Sequence, residues 1–178
     1  MPSKNEIQEL EASAALGFAS SGYLLYEYYN DLNPSKALHY LKLSCEAGYE
    51  VAMFEYAKCI QDDDPHQALK LFNNLSGDDS GRSDYYSAKI LEQLAITPRA
   101  LKAAFNRYLK AAELGDVLAA VKISDMYANG IGCRVNNRKA KEWSAMKGAD
   151  YLANYSKKSR TSSGGYGCNT TIPNIIEW

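Results

Sequence analysis

Along this chain, small and apolar residues recur at steps of four after each of three glycines. Ser21, Leu25 and Tyr29 follow Gly17 at four, eight and twelve residues. Ala52, Tyr56 and Ile60 follow Gly48 in the same way, and Ala119, Ile123 and Tyr127 follow Gly115. Residues four apart share one face of an α-helix, so each set predicts a helix that buries a stripe. The glycines stand in AALGFASS (14–21), CEAGYEVA (45–52) and AELGDVLA (112–119), where a preceding helix is expected to stop. Glycine suits that place because it takes the left-handed conformation without a Cβ penalty. A second mark recurs between them. NPSKAL (33–38), DPHQAL (64–69) and TPRAL (97–101) each set a capping Asn, Asp or Thr before a proline, the usual opening of a helix.

Together these marks predict a unit of helix A, turn and helix B, repeated at intervals of 31, 35 and 32 residues. The A helices fall near 18–30, 49–61, 83–95 and 116–129, and the B helices near 34–47, 65–75, 98–114 and 137–153. In the third unit the best register puts Ser83 in the glycine's place, with Ser87, Leu91 and Ala95 on the stripe. SGDDSGR (76–82) then becomes a lengthened loop, tolerated because closure entropy grows slowly with length. An extra B-like helix opens the chain, with Ser3 and Glu6 spaced as a capping box. One such pair cannot cover its own apolar face, so the pairs are expected to stack into an all-α, α/α solenoid of about four repeats.

The last unit, YANGIGCRVNNRKAKEW (127–143), resembles the Sel-one-like repeat family, a relative of the tetratricopeptide repeat. Ala119, Ile123, Ser124, Tyr127, Gly130, Gly132, Lys139, Ala140 and Trp143 occupy the family's pattern positions. The helix ends AELGD and CEAGY fit as well, and the likeness spans roughly residues 12–151. The resemblance implies a scaffold that binds other proteins, with no catalytic motif and no cofactor. It also implies a bacterial adaptor, regulator or inhibitor, an immunity protein that blocks a toxin being one alternative.

In tetratricopeptide-like solenoids the A helices line the concave side, which the resemblance carries over to positions off the packed stripe. Offsets of three, six and ten select Ser20, Tyr23 and Glu27; Val51, Phe54 and Lys58; Tyr86, Lys89 and Gln93; and Leu118, Val121 and Asp125. Of these, Tyr23, Glu27, Phe54, Lys58, Tyr86, Lys89, Gln93 and Asp125 form the candidate partner-binding set. Aromatic anchors flanked by polar groups are what a protein-binding groove requires. The competing reading is that Phe54 and Tyr86 pack between neighbouring A helices.

Composition narrows the rest. The net charge of -1 argues against a general nucleic-acid or membrane-surface binder. Residues 1–97 nonetheless carry 7 Lys/Arg against 15 Asp/Glu, and residues 98–178 carry 13 against 6. That bipolarity fits solvated surfaces, a bipolar partner or a salt-sensitive head-to-tail self-association. The basic second half also leaves open a different class of function, single-stranded RNA binding by a helical repeat. There is no Gly-rich phosphate loop, no GxSxG and no HExxH, which argues against an enzyme. Asp62, Asp63 and Asp64 read as an exposed acidic run whose last member caps a helix, rather than as a metal site.

Cys45, Cys59, Cys133 and Cys168 form no CxxC pair, and His39 and His66 are the only histidines, so zinc is not expected. Across a turn at Gly48, Cys45 and Cys59 would sit roughly 12 Å apart along the helix axes at about 1.5 Å rise per residue. A disulfide wants a Cα separation of about 5.5 Å, so the thiols are expected free in a reducing compartment. With no signal-like apolar stretch among the first fifteen residues, the expected location is the cytoplasm. The repeat domain is expected over 1–156, followed by a Ser/Gly-rich linker and an apolar tail over 157–178. Ile172, Ile175, Ile176 and Trp178 of that tail would cap the last helix pair, dock in a neighbour's groove or end in disorder.

Overall fold

The computed structural model describes residues 2–75 and 81–145. Part of the SGDDSGR loop, the outer part of the predicted 137–153 helix, Cys168 and the whole of 157–178 lie outside the described residues. The chain runs through α1 (Lys4–Ala15), α2 (Ala19–Tyr29), α3 (Pro34–Glu46), α4 (Glu50–Ile60), α5 (Pro65–Asn74), α6 (Arg82–Gln93), α7 (Pro98–Glu113) and α8 (Val117–Asn129). A further helix, α9, covers 137–145. Each helix packs chiefly on its neighbours in sequence, the arrangement of an α/α solenoid.

The helix boundaries follow from local chemistry. Asn33, Asp64 and Thr97 accept hydrogen bonds from the N–H groups of Lys36 (3.1 Å), Gln67 (2.9 Å) and Ala100 (3.2 Å). A proline fills the first position of each of those helices, where its missing N–H has no intrahelical partner to lose. Asp116 and Asn136 cap α8 and α9 by accepting from Ala119 N–H (2.8 Å) and Lys139 N–H (3.0 Å). The Ser3–Glu6 capping box of α1 is closed in both directions. At the other ends, Gly17, Gly48 and Gly115 all have positive φ.

The stripes turn inward. Ser21, Leu25, Ala52, Tyr56, Ala119, Ile123 and Tyr127 are buried, and Tyr29 and Ile60 are half-buried. Helix α2 lies close on α3: a Cβ at Gly22 would stand 3.1 Å from Ser44 Cβ and 3.2 Å from the Tyr40 carbonyl oxygen. Ser44 Oγ uses that proximity to donate to the Ala19 carbonyl at 2.6 Å. Beside the apolar contacts of Ile7 and Ala14, one carboxylate ties the extra helix α1 to both α2 and α3. Glu11 Oε1 accepts from both Tyr29 (3.0 Å) and Tyr40 (3.1 Å), whose rings stack with centroids 5.7 Å apart. Large side chains without exposed surface, such as Leu25, Leu41 and Phe72, each contribute about 1.5–3 kcal/mol by leaving water.

The third unit corrects the predicted register. Gly81, with φ +68°, takes the left-handed position, while Ser83 lies inside α6 and is fully buried. Arg82 is helical rather than part of the loop, and Ala95 falls beyond the end of α6. Beside Ala88 and Ile90, the core face of α6 carries three polar residues, Ser83, Asp84 and Ser87, with no exposed surface. Ser83 Oγ donates to the Leu75 carbonyl at 3.0 Å. Asp84 Oδ1 accepts from Arg107 Nη1 at 2.6 Å, and Lys110 Nζ stands 2.7 Å from Oδ2 as an ion pair without hydrogen-bond alignment. Arg107 Nη2 also donates to Asn73 Oδ1 at 2.8 Å, so one guanidinium joins α5, α6 and α7.

Cys45, Cys59 and Cys133 are not joined in disulfides, in line with the axial mismatch between Cys45 and Cys59 calculated from the sequence. Burial pushes the thiols of Cys45 and Cys133 up from their ordinary pKa. No helix among the described residues is long and apolar enough to cross a membrane.

Candidate partner-binding surface

On α4, Phe54 and Lys58 are four residues apart; on α6, Arg82, Tyr86 and Lys89 follow at four and then three. Both spacings keep their members on one helical face. The two faces meet. The ring centroids of Phe54 and Tyr86 lie 5.5 Å apart at 83°, edge to face. Phe72 of α5 closes the group from below, stacked on Tyr86 at 5.3 Å and edge-on to Phe54 at 5.5 Å. Phe72 is fully buried, whereas Phe54 and Tyr86 keep part of their surface in water. Phe54 and Tyr86 therefore do pack between neighbouring A helices, and they also face outward.

Two cations stand over the Phe54 ring. The Arg82 guanidinium carbon stands 4.5 Å from the Phe54 centroid, and Lys58 Nζ stands 5.8 Å from it. A cation over an aromatic face is attracted by the ring quadrupole, worth about 0.5–1 kcal/mol at an exposed site. Lys58 is also bonded to Glu55 at 2.8 Å. Lys89 Nζ meets Gln61 Oε1 at 3.4 Å, and Gln61 Nε2 donates back to the Lys58 carbonyl at 3.1 Å. The buried amide of Gln61 thus ties the end of α4 to the middle of α6.

The remaining predicted residues are placed differently. Tyr23 is 9% exposed and packs on Tyr26 (5.6 Å) and on Tyr49 (5.2 Å), in the core between the first two units. Glu27, Gln93 and Asp125 are exposed on α2, α6 and α8, and no ion pair or ring contact joins them to the α4–α6 group. Three members of the group were not singled out from the sequence. Arg82 sits one turn before Tyr86, a legible signal hidden by assigning it to the loop. Phe72 and Gln61 carry no such signal, because they reach the group from helix B and from a helix end. Asp64 of the acidic run caps α5. Among the described residues, no three His, Cys, Asp or Glu side chains are grouped to hold a metal.

The family model described as Sel1 repeat matches residues 11–49, 93–116 and 117–146, just over half of the chain. No curated protein matches. Among solved structures, the Sel1 repeat protein from Oxalobacter formigenes superposes with a TM-score of 0.63 at 18% identity, over 81% of this chain and 63% of that one. A protective antigen of uropathogenic Escherichia coli displaying an SLR fold gives 0.65 at 17% identity, over 88% of this chain and 37% of that one. The chain thus spans under two thirds of the first structure and little more than a third of the second.

Proposed function

Because the chain belongs to the Sel1 repeat family, whose members are in general protein-interaction modules, we propose that it grips another protein on the A-helix face at α4 and α6. The observation that carries this reading is the Phe54–Tyr86 pair, half-buried and edge to face, with Phe72 locked beneath it. A binding anchor gains most when its rotamer is already fixed, because less side-chain entropy is lost on association. Three ring contacts fix these two side chains before any partner arrives. The family is a repeat scaffold without catalytic residues, which supports a binding role rather than an enzymatic one. An adaptor, a regulator and an inhibitor would all use the face in this way.

The test is affinity purification with the full chain, followed by measured affinities for the recovered partner. Phe54→Ala and Tyr86→Ala are expected to weaken binding at least ten-fold each, about 1.4 kcal/mol, while helicity stays at the wild-type level. Unchanged affinity in both folded variants would place the interface elsewhere.

A further inference from the structure

Resting on that reading, we propose that the partner presents an acidic segment to the α4–α6 surface: two carboxylates roughly 10 Å apart flanking an apolar side chain. The spacing follows from α6, where Arg82 and Lys89 are seven residues apart, about 10.5 Å along the helix. Between them on the same face stands Tyr86, with Phe54 against it. An apolar side chain of the partner rests on these two rings, and its acids meet the cations at either end.

Charge decides the sign of the partner. Lys58, Arg82 and Lys89 gather around the rings, and the carboxylate bound within the group is Glu55, on Lys58. The Arg82 guanidinium lies over Phe54 and makes no ion pair among the described residues. Lys89 meets a neutral amide oxygen at 3.4 Å, long against the roughly 2.7–2.9 Å of a charge-assisted bond. Other cations nearby in the solenoid are paired with carboxylates. Arg107 and Lys110 hold Asp84, and Lys122 holds Glu92 at 3.0 Å. A guanidinium resting on a ring is pre-oriented, and its planar fork matches a carboxylate bidentately. Arg82 and Lys89 are therefore the two cations of this face whose pairing an incoming carboxylate completes.

The experiment is selection of random dodecapeptides displayed on phage against the immobilised full chain, with enriched peptides then synthesised and titrated by fluorescence anisotropy. Expected are sequences with two Asp or Glu flanking an apolar residue. Their Gln counterparts should bind at least ten-fold more weakly, and so should the acidic peptides to folded Arg82→Gln and Lys89→Gln chains. Affinity should also fall between 50 mM and 300 mM salt. Enrichment without acidic residues, or affinity unchanged in both variants, overturns the proposal. If non-acidic peptides are enriched and lost on Tyr86→Ala, the protein-interaction reading survives while the acidic partner does not. Tighter binding of a labelled twelve-nucleotide oligouridylate than of any peptide, lost in the same variants, assigns the face to single-stranded RNA instead.

Discussion

Arg107 Nη1 lies 2.6 Å from Asp84 Oδ1, and the carboxylate it meets has no exposed surface. The two residues are 23 apart in sequence, on α6 and α7. A buried carboxylate is costly to desolvate, and here two cations and a place in the first turn of α6, at the positive end of the helix dipole, offset that cost.

Removing the carboxylate leaves Arg107 and Lys110 facing each other's charge without their shared partner. Asp84→Ala is therefore expected to lower stability by about 1–3 kcal/mol, since the two cations left behind stay partly in water. Lys42→Ala, which breaks an exposed 3.9 Å pair with Glu46, is expected to cost no more than about 0.5 kcal/mol. Urea unfolding monitored by circular dichroism measures both. Similar midpoints for the two variants would remove the special standing of Asp84.

The close approach of α2 and α3 makes Gly22 a steric position rather than a flexible one. Gly22→Ala adds helix propensity worth up to about 1 kcal/mol. The new methyl meets Ser44 and the Tyr40 carbonyl, and overpacking costs about 1–3 kcal/mol. The net expectation is a lower melting temperature, whereas Ser20→Ala, exposed on the same helix, moves it little. A stabilised Gly22→Ala chain would show that the two helices part without penalty.

Alkaline pH acts on the tyrosines around Glu11. Burial pushes the Tyr40 hydroxyl up to about 12, helped by its bond to Glu11, and raises Tyr29 in the same direction. The folded chain then keeps a proton that the unfolded chain releases near pH 10. Stability from this group is complete below about pH 10 and declines as pH rises towards 12. Thermal melts between pH 9 and 12 are expected to show that decline, to which the raised Tyr85 and Tyr108 also contribute, and Tyr40→Phe is expected to make it shallower. A Tyr40→Phe chain with the same alkaline slope would assign the loss to other groups.

The proline-led helix openings are separate devices in separate units. Asn33→Ala and Thr97→Ala each remove one cap, at a cost of about 1 kcal/mol. With no shared partner, the double variant is expected to lose the sum to within about 0.5 kcal/mol. Denaturant midpoints of the three chains check this, and a large departure from the sum would reveal coupling along the solenoid.

These contrasts explain which parts of the molecule can be read from its sequence. Caps such as Asn33 and Asp64 act on atoms three residues away, so their signal is local. The stripes at Ser21, Leu25, Ala52 and Tyr56 follow the helical period, and period is visible in one dimension. The A helix of unit three departs from the second rule in part. Beside Ala88 and Ile90 it buries Ser83 and Asp84, which look like surface until Arg107, Lys110 and Leu75 are brought to them. Ser83 reads as a turn residue because a buried serine and an exposed one are spelled alike. At the candidate site, Phe54, Lys58, Tyr86 and Lys89 came from counting along A helices. Phe72 came only from the packing of α5 beneath them.

The Asn73–Arg107–Asp84 junction has a consequence for how the chain can be cut and rebuilt. Helical repeats invite shortening one unit at a time, as if each pair were an interchangeable brick. A fragment ending at residue 97 would keep α6 but carry Asp84 inside it with neither Arg107 nor Lys110. The acidic N-terminal segment reaches its basic successor at that point, and each supplies what the other lacks. Any truncation from the C-terminal side that reaches into α7 strips Asp84 of its cations. For anyone grafting or permuting this scaffold, α5, α6 and α7 are one inseparable block.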